Sequence, residues 1–238
     1  MRAAAALALG VLLCAACAPP PTTPETLFIA HALQTGAPAV ATSGAGVAFA
    51  WAGFDAVNVH QDARLLRSGT LSEAVVLPLP PAHPFDQRLI AGADGRLHLL
   101  WLDAAQDGQG NRLYSAILGP DLGVQRGPIA LSNEPTYRYS AIADGQGGAL
   151  AVWSAGAAAE PTLTAGRVDL LGRPLPPELL TVRGQFPALT SSGASGVHLF
   201  WLAEGQLWRM ALGDSPGGAA VAVSASVGLW PGDALDSL

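Results

Sequence analysis

Residues 95–103 read Gly-Arg-Leu-His-Leu-Leu-Trp-Leu-Asp, and this stretch decides the fold. It follows directly on Asp94, and an Asp-Gly pair tolerates the positive φ angles of a tight hairpin turn. Side chains alternate between the two faces of a strand, and here both alternating sets are largely apolar. The stretch therefore predicts a strand that is covered on both faces and carries Trp101.

The same pattern is built four times, with a period of about 50 residues. Each unit has a short apolar strand, a glycine-rich turn, a strand ending near a tryptophan, a third strand closed by a glycine, and a fourth strand. The repeated tryptophans are Trp51, Trp101, Trp153 and Trp201. The tryptophan strands are predicted at 47–52, 96–103, 149–154 and 197–203, and the first strands at 39–42, 89–93, 140–143 and 188–191.

Four antiparallel strands per unit predict an all-β fold, a β-propeller whose blades bury their faces against one another. The simplest arrangement is a closed ring of four blades. Residues 26–33 resemble a closing strand and residues 230–235 an opening one, and one of them is expected to seal the ring. A five-bladed or incomplete propeller and a β-sandwich are the alternatives.

The charge pattern excludes one class of partner. The 238-residue chain has a net charge of −6 and contains no lysine, so it offers no basic stripe for nucleic acid. We find no nucleotide-binding glycine loop, no Gly-x-Ser-x-Gly and no zinc motif, and we expect neither a cofactor nor a metal. His98 and His198 are expected to face the packing between blades, and residues 107–111 form a weak calcium-loop pattern.

The N-terminus resembles the lipobox of bacterial lipoproteins. A short apolar segment leads to Ala15 and Ala16, and these small residues precede Cys17. The family pattern usually has leucine where this chain has Cys14. The resemblance implies a signal peptide over 1–16, acylation (palmitate) of Cys17, and a proline-rich tether over 17–25 before a propeller domain over 26–238. The alternative is an ordinary secretory signal cleaved near Ala16 or Ala18.

Acylation would make the lipid bilayer a partner of the chain, because each buried methylene contributes about 0.8 kcal/mol of membrane affinity. The resemblance also implies a location in the cell envelope. Ala18 is not the aspartate that favours inner-membrane retention in this family, so the outer membrane is expected rather than the inner one.

The repeats resemble bacterial propellers of the sialidase-like, Asp-box kind. The resemblance covers most of residues 38–235, but Trp101 follows Asp94 by seven residues and so departs from the Asp-box spacing. It implies the architecture and does not assign a glycosidase activity.

Candidate binding residues lie in the connections from one unit to the next, which are rich in arginine and aromatic residues. Arg88 and Arg138 each precede a turn aspartate by six residues, so they are expected in equivalent places, where two guanidinium groups could clamp a carboxylate or phosphate. Tyr137, Tyr139 and Phe186 could stack on a sugar or pack a peptide. The competing interpretation is that these residues only fill the central channel.

Two functional hypotheses follow. The first is an envelope-anchored, non-enzymatic propeller that binds a protein or a saccharide. The second is a glycan hydrolase or lyase that uses carboxylates at the channel mouth, with Asp86, Glu134 and Asp233 as candidates by position. The thin inventory of charged residues favours the first hypothesis over an enzyme.

Overall fold

A computed structural model of the chain describes residues 33–34, 38–54, 59–79, 83–104, 108, 110–157, 160–191, 196–213 and 219–223. These residues form four antiparallel β-sheets, one for each tryptophan unit. The β-propeller prediction is therefore confirmed, with four blades of four antiparallel strands rather than the two sheets of a sandwich. No helix in the described ranges is long and apolar enough to cross a membrane.

The first blade is built around β3 (Gly46–Phe54) and β4 (Val59–Arg67), which pair along their whole length. Its innermost strand comes in two pieces that both pair with β3, namely β1 (Leu33–Gln34) and β2 (Ala39–Ser43). Its outermost strand is likewise divided into β5 (Thr70–Leu71) and β6 (Val75–Leu77), which both pair with β4.

The other three blades follow the chain in simple order, from the innermost strand to the outermost. The second blade consists of β7 (Phe85–Ala91), β8 (Leu97–Ala104), β9 (Asn111–Leu118) and β10 (Val124–Ala130). The third consists of β11 (Thr136–Ala143), β12 (Ala149–Ala155), β13 (Thr162–Val168) and β14 (Glu178–Arg183). The fourth consists of β15 (Gln185–Ser191), β16 (Val197–Ala203), β17 (Gln206–Leu212) and β18 (Val221–Ala222).

The strand of residues 95–103 is confirmed as a covered strand, since β8 is buried from Leu97 to Asp103. Leu97, Leu99 and Trp101 pack towards the first blade, and the alternating Leu100 and Leu102 pack towards the third. Each blade after the first places its tryptophan face against the preceding sheet in this way, so that three apolar clusters join the four blades in series.

No apolar cluster of the described residues joins the fourth blade to the first. Of the segments expected to seal the ring, residues 26–32 and 230–235 lie outside the described residues. Leu33 belongs to β1, and it pairs with Phe54 of the first blade rather than with the fourth.

The innermost strands differ from their predicted bounds. They begin at Phe85, Thr136 and Gln185, three to four residues before the positions expected from the apolar runs, because pairing continues beyond an irregularity near the start of each strand. A bulge adds a residue without ending the ladder, and an apolar pattern does not reveal it.

Candidate functional site

The predicted binding residues lie at one end of the propeller, the end where the outermost strand of one blade leads to the innermost strand of the next. We call this the connection end. The longer inner strands move Arg88, Tyr137, Arg138, Tyr139 and Phe186 out of the connections and into β7, β11 and β15. Their side-chain directions are consequently fixed by strand pairing.

Arg88 and Arg138 do not occupy equivalent places, so that expectation is wrong. Arg88 pairs with Leu100, the residue before the blade tryptophan, whereas Arg138 pairs with Ser154, the residue after it. The cause lies in the turns. The same hydrogen bond closes the turn in both blades. In the second blade Gly92 N–H donates to the Arg96 carbonyl, and in the third blade Asp144 N–H donates to the Gly148 carbonyl. Asp144 therefore matches Gly92 and not Asp94, and an alignment on the two aspartates is two residues out of register.

Arg88 and Tyr139 are brought together at the contact between the second and third blades. The Arg88 guanidinium carbon lies 5.6 Å from the centre of the Tyr139 ring, within cation–π range. The Tyr139 hydroxyl has one proton, which it shares between the carbonyl oxygens of Asp86 (2.5 Å) and Leu100 (3.0 Å). Arg88 Nη2 also lies 3.8 Å from Asp86 Oδ1. These contacts tie two blades together.

The Tyr139 hydroxyl remains protonated, because burial raises its pKa well above the usual value and the Asp86 charge raises it further, against a smaller lowering by Arg88. It thus acts as a fixed donor between the blades.

Arg138 and Tyr137 are exposed neighbours on β11. The Tyr137 hydroxyl donates to the carbonyl of Gly156 at 2.6 Å, and the backbone carbonyl of Arg138 accepts from Ser154 Oγ at 3.4 Å. Arg88, by contrast, lies at the contact of the second and third blades. Anion binding by the two arginines stays a prediction.

Phe186 lies at a different place, in a cleft of about 810 Å³ between the third and fourth blades at the connection end. The cleft combines aromatic rings with a few charged and amide groups, as ligand sites commonly do. Its side-chain lining includes Glu160, Arg183, Gln185, Phe186, Trp201, Glu204 and Trp208.

Two stacked tryptophans form the aromatic wall of this cleft. The rings of Trp201 and Trp208 are 6.4 Å apart and inclined by 19°. Trp201 is buried, whereas Trp208 is half-buried and its Nε1–H donates to the carbonyl of Ala203 at 3.3 Å. Trp201 is the tryptophan that recurs in every blade, whereas Trp208 is an additional aromatic ring of the fourth blade.

The residue type at the position of Trp208 differs from blade to blade, although the strands and the blade tryptophan beside it recur in every blade. The residue paired with the blade tryptophan is Asp62 in the first blade, Tyr114 in the second, Thr164 in the third and Trp208 in the fourth. Sequence reasoning did not select Trp208 as a site residue. The sequence did contain a signal for it, because Trp208 is a tryptophan that does not belong to the repeating series.

The backbone beside the cleft has an unusual conformation at Phe186 and a close contact at Gly184. Phe186 has a φ of 53°, which is unusual for a bulky residue and costs about 1–3 kcal/mol. Gly184 makes room for Trp201: a Cβ at this position would overlap with Trp201 Cδ1 and lie 2.9 Å from the Leu202 carbonyl oxygen. Gly184 N–H also donates to the carbonyl of Pro161 at 3.0 Å, which holds the connection against the third blade.

The charged rim contains one ion pair and one further carboxylate. Arg183 Nη1 lies 2.6 Å from Glu160 Oε2, and both side chains are mostly exposed. Glu204 is exposed in the turn between β16 and β17 and has no ion pair with a described residue. The charged lining therefore consists of two carboxylates and one guanidinium, with Gln185 as a neutral donor and acceptor.

The remaining candidates from the sequence lie elsewhere. Asp86 faces Arg88, Glu134 is exposed, and Asp233 lies outside the described residues, as do Cys17 and Asp107 of the calcium-loop pattern. In the part of the chain that the structure covers, no group of three or more histidine, cysteine, aspartate or glutamate side chains is arranged to hold a metal.

Comparison of the sequence with protein-family models and with curated proteins gives no match. Solved structures do resemble the chain. A protein of unknown function from Dyadobacter fermentans is 12% identical with a TM-score of 0.58, over 79% of this chain and 64% of its own. An exo-β-1,3-galactanase from Phanerochaete chrysosporium, solved with galactose, is 11% identical with a TM-score of 0.50, over 82% of this chain and 51% of its own.

The chain thus spans less than two thirds of either protein. A sialidase from Streptococcus pneumoniae is also similar, at 12% identity over 68% of this chain and 26% of its own, but its TM-score of 0.43 is too low to carry an argument. At these identities the comparisons support the fold alone.

Proposed function

We propose that this protein is a cell-envelope lipoprotein whose propeller binds a saccharide in the cleft between the third and fourth blades. The observation that carries the proposal is the stacked pair of Trp201 and Trp208 in a cleft of about 810 Å³. Anchoring through Cys17 rests on the lipobox resemblance, and an outer-membrane position on the residue that follows this cysteine.

The cleft suits a sugar because it offers both kinds of contact that a sugar ring needs. A pyranose presents C–H groups on its face and hydroxyls around its edge. An aromatic face is electron-rich and attracts such C–H groups, and the half-buried Trp208 is available for this contact. Gln185 and the charged rim offer donors and acceptors to the hydroxyls.

The fold supports the position of the cleft. Trp201 is fixed by the apolar cluster that joins the third and fourth blades, so the aromatic wall is held before any ligand arrives. A preformed site loses less entropy on binding than one that must first be ordered.

Replacing Trp208 with alanine tests the proposal. The full-length protein in detergent would be titrated with neutral gluco-, galacto- and xylo-oligosaccharides of four to six units, by calorimetry. We expect at least one to bind and Trp208→Ala to weaken that binding by about tenfold to a hundredfold, since an aromatic contact of this kind contributes about 1–3 kcal/mol.

Tyr114→Ala is the matched control for this substitution. Tyr114 stacks on Trp101 at 5.8 Å and 20°, at the equivalent position of the second blade, so its loss removes a similar stack far from the cleft. Binding should be unchanged in this variant. The proposal fails if no saccharide binds, or if Tyr114→Ala weakens binding as much as Trp208→Ala; binding of peptides alone would favour a protein ligand instead.

A glycan hydrolase or lyase is the second candidate, because Glu160 and Glu204 line the same cleft and paired carboxylates perform glycoside hydrolysis. New reducing ends released from a bound oligosaccharide by the wild type, and lost in both Glu160→Gln and Glu204→Gln, would establish it. Unchanged oligosaccharide after prolonged incubation would leave the binding function.

A further inference from the structure

We propose that the cleft prefers neutral saccharides to acidic ones, with Glu204 as the residue that sets this selection. The inference rests on the proposed function and names the class of saccharide that the same site takes. It concerns a different place from the acidic ligand expected at Arg88 and Arg138, which stays a prediction.

The arginines present little positive charge to a ligand in the cleft. Arg88 lies at the contact of the second and third blades, over the Tyr139 ring and beside the Asp86 carboxylate. It is not among the residues that line the cleft, and neither is Arg138. The one guanidinium that does line the cleft belongs to Arg183, and Glu160 lies within 2.6 Å of it. That pair presents little net charge to a ligand.

Glu204 supplies the carboxylate of the cleft that lies outside the Arg183–Glu160 ion pair. Glu204 stands at the tip of the β16–β17 turn with a φ of 53°, in the wall that also contains Trp208. No described cation pairs with it. A carboxylate on a sugar bound against Trp208 would therefore approach an uncompensated negative charge, and like charges brought together raise the free energy of the complex.

The difference in affinity produced by Glu204 is expected to be small. The carboxylate of Glu204 is exposed to water, so its repulsion of a second charge is modest and is screened by salt. We expect discrimination of about three- to tenfold at low ionic strength, decreasing at 0.5 M salt. The net charge of −6 of the whole chain acts in the same direction at longer range.

The experiment compares two tetrasaccharides that differ only in charge: one built from the neutral hexose that binds best, and the corresponding uronic-acid tetrasaccharide. Both would be titrated into the full-length protein at 20 mM and 500 mM salt. The neutral probe should bind about three- to tenfold more tightly at low salt, and the ratio should fall towards one at high salt.

Glu204→Gln should lower the preference for the neutral probe at low salt by about three- to fivefold, because the affinity for the uronic-acid probe rises relative to that for the neutral one. Glu73→Gln is the matched control, because Glu73 is an exposed glutamate of the first blade and its substitution changes the net charge equally. That variant should retain the wild-type ratio.

The outcomes separate the two proposals. Equal or tighter binding of the uronic-acid probe, or an unchanged ratio in Glu204→Gln, would overturn the selection while leaving the saccharide site in place. Binding of neither probe by the wild type would overturn the saccharide site itself, and with it the selection.

Discussion

At the scale of single residues, buried polar groups of this propeller hold neighbouring blades together. The single hydroxyl proton of Tyr139 is shared between two carbonyls of the second blade, and His98 Nε2 lies 3.1 Å from the carbonyl oxygen of Gly147 in the third. The position of His98 between blades was predicted from the sequence and is confirmed, since the residue is only 1% exposed. Its partner was not predicted, because Gly147 belongs to the turn of another blade.

His98 should make the stability of the protein depend on pH. Burial lowers its pKa below the usual 6.5, against smaller opposing effects of the Gly147 carbonyl, Asp144 and Asp169. The neutral ring donates through Nε2, and its buried Nδ1 has no hydrogen-bond partner among the described residues, so a second proton there would be unsatisfied. The unfolded chain therefore binds more protons than the folded one as the pH falls through 6.5, and stability is lost over that range.

Urea unfolding at pH 8.0 and pH 5.5 measures this effect. The wild type should lose stability at the lower pH, and His98→Gln should show a smaller loss, because its side chain does not titrate. An equal loss in both proteins would contradict the assignment of this dependence to His98.

At the scale of strands, the contacts of the blade tryptophans depend on small residues opposite them. In the third blade a Cβ at Gly166 would lie 2.7 Å from Trp153 Cη2, and in the fourth a Cβ at Gly184 would overlap with Trp201. The tryptophan strands were predicted almost to the residue, and β16 matches its expected bounds of 197–203. The starts of the innermost strands β7, β11 and β15 were not predicted, because the bulges near those starts leave no pattern in the apolar residues.

Gly184→Ala should destabilise the protein by about 1–3 kcal/mol, because a methyl group cannot enter a closely packed contact without displacing the Trp201 ring. Denaturant unfolding measures the loss, and weaker saccharide binding should accompany it. Gly44→Ala is the control, since no atom lies within 4 Å of a Cβ there, and it should leave the stability within about 1 kcal/mol of the wild type. Equal effects of the two substitutions would show that Gly184 is not needed for packing.

At the scale of the whole molecule, three apolar clusters in series hold four blades together, and the proposed ligand site lies between the last two. The proposed site includes Phe186, one of the five binding residues predicted from the sequence, but it does not include Arg88 or Tyr139. The four blades share a common core, but the residue paired with the blade tryptophan differs between them. In the fourth blade this residue is Trp208.

The proposed anchor also belongs to this scale, because it fixes the entire propeller at a membrane. Cys17→Ser should move the protein from the membrane fraction to the soluble fraction of the cell envelope, since acyl chains cannot be attached to serine by a thioether. Immunoblots of fractionated cells measure the distribution, and Cys14→Ser is the matched control that should stay with the membrane. Retention of the Cys17→Ser protein in the membrane fraction would sink the lipoprotein assignment.

The sequence by itself determined the repeat, the all-β class, the four tryptophan strands and the two apolar faces of β8. These features follow from local patterns, because alternation of side chains and turn-forming residues act between neighbours in the chain. Only the tertiary structure decided that Arg88 meets Tyr139, that Arg88 and Arg138 are not equivalent, and that Trp208 lines a cleft. These depend on bulge register and on which blade packs against which, and such contacts join residues far apart in sequence.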